Sequence, residues 1–395
     1  MKIGKTKLIY LLLFMCCTKF FISGLYINGI YYLDVICFML FAWCFLSIII
    51  YRFKFENTIG KIKKSTFYYP ILAFLIMTIF EMFFSFIRYH QPILSVLKMS
   101  YFHFVLVVYF ILTVLVDSKE KLDDFKYMLV LFCTLCNIFQ IIHVVMYSSS
   151  WNPYFYLTML SFPLVMANAL MGKNKIQTSL NLLTTIICVF FVGTNTAIRI
   201  AFIIVFITTI LMHVIKKTKS NKFLIKGIIF FIISVCVVGG FVGTYVEKMV
   251  NSAVGNQVRV YAMEYYLDQF LQNPLLGMGF IDPNVNKNFY TLVHGKVSPL
   301  GGMSQYYIED VGVVGYIAQF GLIGIVVLVF ILIKLYKLIK SCDGIMLVES
   351  VGLLGLLFVM FVSLMPTNKA PIQMLPIFLM IMEKNAQISI KTGND

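Results

Sequence analysis

Long apolar stretches separated by short polar gaps dominate this chain. A membrane-crossing helix needs about 20 consecutive, mostly apolar residues, and stretches of roughly this length recur from one end of the chain to the other. They lie at about 8–27, 30–51, 67–87, 93–116, 127–147, 154–171, 180–195, 198–215, 227–245, 311–333, 345–365 and 371–382. The pattern predicts an all-α polytopic integral membrane protein with about 12 transmembrane helices.

One gap is much longer than the others, and it separates the ninth and tenth predicted crossings. Within it, apolar and aromatic residues recur every three to four positions, which predicts a helix from about Gln257 to Leu271. A long loop with internal structure is usually functional. The predicted organisation is therefore nine crossings in 1–245, a large loop with short helices in 246–310, three crossings in 311–382 and a tail in 383–395.

Composition and charge support a membrane location and set the orientation. The chain is 60% hydrophobic and 12% charged, whereas soluble proteins have about 25% charged residues. Of its 32 Lys and Arg residues, 23 lie in alternate gaps between crossings. Because cytoplasmic loops carry the positive excess, both termini are predicted in the cytosol and the large loop outside. The net charge of +15 is thus an orientation signal and does not predict a nucleic-acid partner.

Several ionisable side chains lie within predicted crossings, where each costs a few kcal/mol unless it faces a cavity or a partner. Glu81 and Arg88 are seven residues apart on one helix face, and Lys98 enters the next crossing from the same side. These residues could line an outward-opening polar cavity. Alternatively, Arg88 and Lys98 extend to lipid headgroups while Glu81 pairs with one of them.

Two arginines near the outer surface suggest phosphate recognition. Arg199 follows a polar break between two crossings, and Arg259 lies in the large loop. The arginine side chain can grip phosphate oxygens with two parallel hydrogen bonds, and a pyrophosphate-linked lipid would bring its phosphates to this depth. The sequence contains no phosphate-binding P-loop, no H-E-x-x-H zinc signature and no G-x-S-x-G elbow.

Three stretches resemble the O-antigen ligase and polymerase superfamily, particularly the Wzy-type polymerases of capsule and exopolysaccharide repeat units. The first is G-T-N-T-A-I-R at 193–199, which opens an apolar helix. The second is R-V-Y at 259–261 with N-P-L-L-G-M-G at 273–279, and the third is the glycine-rich re-entry into the membrane at 310–324. Ligases of this family typically place a histidine before re-entry. Here Asp310 stands near that place and the nearest histidine is His294, which favours a polymerase.

The resemblance implies an architecture related to the GT-C glycosyltransferases and a location in the bacterial cytoplasmic membrane. The implied reaction joins undecaprenyl pyrophosphate-linked oligosaccharide repeat units on the outer face, without a metal or another cofactor. The implied partners are these lipid-linked oligosaccharides, the bilayer, a flippase and a chain-length regulator. The alternatives are an O-antigen-type ligase and a flippase or transporter of the same lipids. A transporter explains the intramembrane charges but explains the single large outer loop less well.

Candidate roles follow from this reaction. Arg199, Arg259 and Arg88 are predicted to hold the pyrophosphate, whose charge rises as the glycosidic bond breaks. The acceptor hydroxyl needs a proton acceptor, and no spacing selects among four candidates: His294, Asp310, Glu309 and Glu264. Glu309 and Asp310 have the alternative role of capping the helix that begins near Val311. Tyr265 and Tyr306 are predicted to stack on the glycan.

Overall fold

A computed structural model describes residues 5–18, 26–27, 30–31, 60–147, 155–192, 196–217, 254–295, 306–363 and 369–393. These residues are predominantly helical. The α-helices are α1 (Lys5–Thr18), α2 (Tyr68–Tyr89), α3 (Ile93–Ser100), α4 (Val108–Leu115), α5 (Lys119–Tyr147), α6 (Phe155–Leu170), α7 (Lys175–Ile187), α8 (Thr196–Lys217), α9 (Val254–Gln272), α10 (Lys287–His294), α11 (Val313–Ser341), α12 (Gly344–Ser363) and α13 (Lys369–Gly393). The remaining elements are 3-10 turns at Tyr101–Val107 and Ile308–Val311, a π turn at Cys188–Val192, and the antiparallel strands β1 (Tyr26–Ile27) and β2 (Ile30–Tyr31).

Four helical segments of the described residues are long and apolar enough to cross a membrane. They are Tyr68–Tyr89, Ile93–Leu115, Lys119–Met146 and Val313–Ser341. Shorter apolar helices lie at Leu160–Leu170, Lys175–Phe191, Val205–Val214 and Gly344–Leu357. The chain is thus a multi-pass membrane protein, as its hydrophobic pattern predicts. The number of twelve crossings stays a prediction, since the crossing at 227–245 and most of the one at 30–51 lie outside the described residues.

Helix α13 lies in the interior of the bundle. Every side chain from Ile377 to Met382 is at most 1% exposed. The helix continues to Gly393, so most of the segment predicted as a tail extends this helix, and Glu383 and Asn385 are buried. A helix that is apolar on all sides belongs in the core of a bundle.

Polar contacts tie α13 to its neighbours at the end that the charge pattern places in the cytosol. The buried Lys126 ammonium lies 2.5 Å from Glu349 and 2.8 Å from the side-chain oxygen of Asn385. Glu383 accepts hydrogen bonds from the Thr66 backbone N–H and the Tyr109 hydroxyl. Buried charges require such partners, and these link α5, α12 and α13 at one end of the bundle.

Helix α11 is interrupted at Gly321, where φ is 60° and ψ is −155°. In an unbroken helix the N–H of residue i bonds the carbonyl of residue i−4. The interruption therefore removes the bonds from the Leu322 and Ile323 N–H groups to the Ala318 and Gln319 carbonyls. Inside a bilayer, each unsatisfied backbone group would cost several kcal/mol.

The segment from Asn273 to Gly279, directly after α9, satisfies all four of these groups. It supplies two donors and two acceptors. The bonds run from Met278 N–H to Ala318 O (2.8 Å), Gly279 N–H to Gln319 O (2.9 Å), Leu322 N–H to Pro274 O (2.8 Å) and Ile323 N–H to Leu275 O (3.4 Å). The loop segment thus takes the place of the two missing helical bonds; we call Asn273–Gly279 the docking segment.

The large loop has its own small hydrophobic core, which packs it against one end of α2 and of α11. The predicted helix at 257–271 is confirmed as α9. The buried members of this loop core are Ala262, Tyr266, Met278, Ile281, Tyr306, Val311, Val314 and Ala318. Because this core joins residues of α9, the docking segment and α11, the described part of the loop is a packed unit held against the membrane helices.

Candidate functional site

One face of α2 meets the docking segment. Glu81, Ser85 and Arg88 are spaced so that they lie along this face. The Ser85 hydroxyl accepts a hydrogen bond from the Phe280 N–H at 2.7 Å, and the Arg88 guanidinium donates to the Gly277 carbonyl at 3.4 Å. Glu81 and Ser85 are buried, whereas Arg88 is exposed at the end of the helix. The predicted polar stripe of this crossing therefore faces the large loop.

Neither oxygen of the Glu81 carboxylate has a hydrogen-bond partner among the residues that the structure describes, which include Arg88 and Lys98. The hypothesis that it pairs with Arg88 or Lys98 is therefore wrong. Gly279 lies directly against it: an added Cβ there would come within 2.3 Å of the Ser85 hydroxyl and 3.4 Å of a Glu81 oxygen. The close approach of loop to helix at this point requires a glycine.

Lys98 forms an ion pair with the loop. Its ammonium lies 3.7 Å from the buried Asp282 carboxylate, whose other oxygen accepts bonds from the backbone and side chain of Asn284 at 3.0 Å. Gln91 donates to the Phe280 carbonyl at 2.5 Å and accepts from the Asp282 N–H at 3.1 Å. Lys98 thus contacts the protein, and the interpretation that it extends to lipid headgroups is wrong.

We expect Ser85→Ala to lower the free energy of unfolding by about 1–3 kcal/mol, because it leaves the buried Phe280 N–H without an acceptor. Ser100→Ala is a matched control, since the buried Ser100 hydroxyl donates to the Val96 and Leu97 carbonyls of its own turn. Thermal unfolding of both variants in detergent tests this. Equal midpoints would show that the Ser85 contact does not hold the loop.

His294 ends α10, an eight-residue helix of the loop. The side chain of Asn286 caps its start by accepting from the Phe289 N–H at 2.9 Å, and Gly295 ends it with a φ of 75°. The His294 Nδ1 lies 2.6 Å from the Tyr306 carbonyl. Because a carbonyl only accepts, Nδ1 carries the proton, and Nε2 of the neutral ring is left as a proton acceptor.

Tyr265 and Tyr306 pack within the loop. The Tyr265 hydroxyl donates to the Leu292 carbonyl at 2.6 Å, and burial raises the pKa of Tyr265 to about 12. Tyr306 is 6% exposed, and its pKa is raised by burial and by the neighbouring Tyr261 and Glu264. The Tyr265 contact holds α9 against α10, while the role of both tyrosines in glycan contact stays a prediction.

The remaining predicted residues lie on several elements. Arg259 and Glu264 are exposed on α9. Arg199 is the fourth residue of α8, and Glu309 and Asp310 belong to the 3-10 turn before α11; the positions of these three side chains lie outside the described part of the chain. The loop thus brings His294, Glu264, Tyr265 and Tyr306 into one region. Among the described residues, no three His, Cys, Asp or Glu side chains are grouped closely enough to hold a metal ion.

Residues 180–329 match the family model described as O-Antigen ligase. The predicted resemblance is confirmed. The matched range includes all three sequence stretches, the docking segment and the broken part of α11. The match supports a membrane enzyme of the O-antigen ligase or polymerase type. Comparison with curated proteins gives no significant match.

The matched segment docks onto α2, which lies outside the matched range. Ser85, Gln91 and Asp282 hold it there and were not predicted as site residues. Ser85 follows Glu81 by four residues and precedes Arg88 by three, so helical spacing could have identified it. The contacts of Gln91 and Asp282 join positions about 190 residues apart along the chain and left no pattern in the sequence.

Proposed function

We propose that this protein is a polymerase that joins lipid pyrophosphate-linked oligosaccharide repeat units on the outer face of a bacterial cytoplasmic membrane. The observation that carries the proposal is the docking of the large loop onto α2 and α11. It brings a tautomerically fixed histidine and an arginine to the same end of the bundle: the Tyr89 ring, next to Arg88, lies 5.9 Å from the Phe289 ring of α10.

His294 is the best-supported proton acceptor of the four candidates. Its Nδ1 is anchored, its Nε2 is available, and the side chain is half-buried. Glu264 is exposed on α9. Glu309 and Asp310 precede α11, where acidic side chains also serve as caps. A half-buried imidazole whose Nδ1 is anchored by a backbone carbonyl suits general-base catalysis.

The proposed step is a direct displacement. Nε2 of His294 takes the proton of an acceptor sugar hydroxyl as its oxygen bonds the anomeric carbon of the donor. The bond from that carbon to the pyrophosphate oxygen breaks, and the lipid pyrophosphate leaves with the bonding electrons. Fixed cations aimed at this leaving group lower the barrier, and Arg199, Arg259 and Arg88 are the proposed cations. Arg88 already donates to the Gly277 carbonyl of the docking segment.

We expect Arg259→Ala to lower the rate of glycosyl transfer about 100-fold, the usual effect of removing one group that stabilises developing charge. Arg199→Ala should have a similar effect. Because Arg259 is exposed on α9, its replacement should leave the thermal midpoint unchanged. A measurement with purified protein in detergent and lipid-linked repeat units, in buffer containing a metal chelator, would contradict this role if the Arg259→Ala rate equalled that of the wild type.

The product of the reaction distinguishes a polymerase from a ligase and from a transporter. A polymerase converts lipid-linked repeat units alone into longer lipid-linked chains. A ligase, which the description of the matching family favours, releases the glycan only when a second acceptor is supplied. Substrate that crosses vesicle membranes with unchanged length would indicate a transporter and overturn the proposal. Gel analysis of the products in these three conditions decides among them.

A further inference from the structure

Two exposed tyrosines, Tyr290 and Tyr307, flank His294. The Tyr290 ring centroid lies 4.8 Å from that of His294, and the Tyr307 ring centroid lies 5.3 Å from it. Tyr290 is 37% exposed and Tyr307 is 43% exposed. We call Tyr290, His294 and Tyr307 the aromatic cleft.

The pattern of α10 explains how the cleft is presented. Phe289, Leu292 and Val293 pack against the loop core. Lys287, Tyr290 and His294 are spaced three and four residues apart and therefore lie along a different face of the helix. Lys287 and Tyr290 are exposed on that face. Helix α10 thus packs with one face and presents a cation, an aromatic ring and an imidazole along another.

Tyr307 joins this face from a separate part of the loop. Its neighbour Tyr306 is buried, and the Tyr306 carbonyl accepts a hydrogen bond from the His294 Nδ1–H. The Tyr306 N–H also donates to the His294 carbonyl at 3.3 Å. These two bonds fix the backbone at Tyr306 against the end of α10, which holds the cleft in place from both sides.

We propose that the aromatic cleft binds a pyranose sugar of the acceptor glycan, with Tyr290 and Tyr307 as stacking platforms beside His294. Aromatic faces are apolar and attract the C–H face of a sugar ring, while the polar edge of the ring stays hydrated. A sugar stacked on either tyrosine has its hydroxyl groups beside the imidazole, as the proposed proton transfer requires. The inference rests on the proposed function, because it names the acceptor site of that reaction.

The chemistry of the cleft suits a sugar ring. Its two platforms are uncharged, and the nearby Lys287 is a hydrogen-bond donor at the edge. The interfacial location that tyrosines commonly take in membrane proteins does not by itself place two tyrosine rings against one histidine whose tautomer is fixed. By contrast, the Tyr306 ring is buried, and the Tyr265 hydroxyl is bonded to the backbone.

The test measures binding of the repeat-unit oligosaccharide, released from its lipid carrier by mild acid, to the full-length protein in phosphatidylglycerol-containing nanodiscs. We expect Tyr290→Ala and Tyr307→Ala each to weaken the affinity about tenfold and to raise KM for the acceptor more than they lower kcat. Tyr290→Phe and Tyr307→Phe keep the ring and should retain most of the affinity. Tyr336 lies outside the cleft, on α11, and is 45% exposed. Tyr336→Ala should leave the affinity and KM unchanged.

The outcomes separate the two proposals. If the wild type transfers sugar while binding and KM are the same in both Ala variants, the aromatic cleft is not the acceptor site and the proposed function stands. If the free oligosaccharide binds in a way that depends on both tyrosines but no transfer occurs, the cleft stands and the proposed reaction fails. Equal loss of thermal stability in the Ala and Phe variants would indicate a purely structural role and overturn the inference.

Discussion

Gly321→Ala is expected to prevent the protein from accumulating in folded form. The backbone at Gly321 lies in a region that only glycine adopts readily, so a side chain there costs about 1–3 kcal/mol in strain. An added Cβ would also come within 2.4 Å of the Leu275 carbonyl oxygen and 2.8 Å of the Gly277 nitrogen. Because both atoms belong to the backbone, the docking segment would have to move and lose its bonds to α11.

Gly172→Ala is the matched control. Gly172 also has a positive φ, 65°, but an added Cβ there meets nothing within 4 Å. The control therefore measures backbone strain without the steric contact. We expect the yield of monodisperse protein in detergent to fall to background for Gly321→Ala and to change little for Gly172→Ala. Equal yields and thermal midpoints would show that the close approach of the docking segment is not needed for folding.

His294→Ala is expected to lower kcat of glycosyl transfer about 1000-fold, the usual range for loss of a general base being 100- to 10,000-fold. His294→Gln should be as inactive, since an amide is not a base at neutral pH. The measurement is a single-turnover assay with saturating lipid-linked repeat units, because it isolates the chemical step from substrate binding and product release.

His213→Ala provides the control for loss of a half-buried histidine elsewhere, on α8. It should retain wild-type activity. Loss of the His294 contact with the Tyr306 carbonyl also disturbs the loop, so thermal unfolding of each variant must accompany the assay. Near-normal kcat in a folded His294→Ala protein would return the assignment of the base to Glu264, Glu309 or Asp310.

The elements that the sequence predicts well are those whose signal is local. The apolar stretches at 67–87 and 93–116 match the segments Tyr68–Tyr89 and Ile93–Leu115 within about two residues, since length and hydropathy alone define a membrane helix. The three-to-four-residue spacing in the large loop similarly located α9.

The partners of individual polar residues could not be predicted in this way. Lys98 pairs with Asp282, which is 184 residues later in the chain, and no local pattern connects the two. The choice of Tyr265 and Tyr306 as glycan residues relied on residue type, which does not distinguish a tyrosine that packs inside a loop from one that faces solvent. Burial separates them: Tyr306 is enclosed, whereas its neighbour Tyr307 is exposed.

The exchange of backbone bonds between the docking segment and α11 has a consequence for biosynthesis. During synthesis, the broken part of α11 follows the docking segment by about 45 residues. Its free N–H and C=O groups are too costly to leave without hydrogen bonds in lipid. The last three helices can therefore become stable only after the large loop has folded against them. Loop and bundle should accordingly unfold in one transition, and a protease cut within 273–279 should destabilise helices that the protease cannot reach.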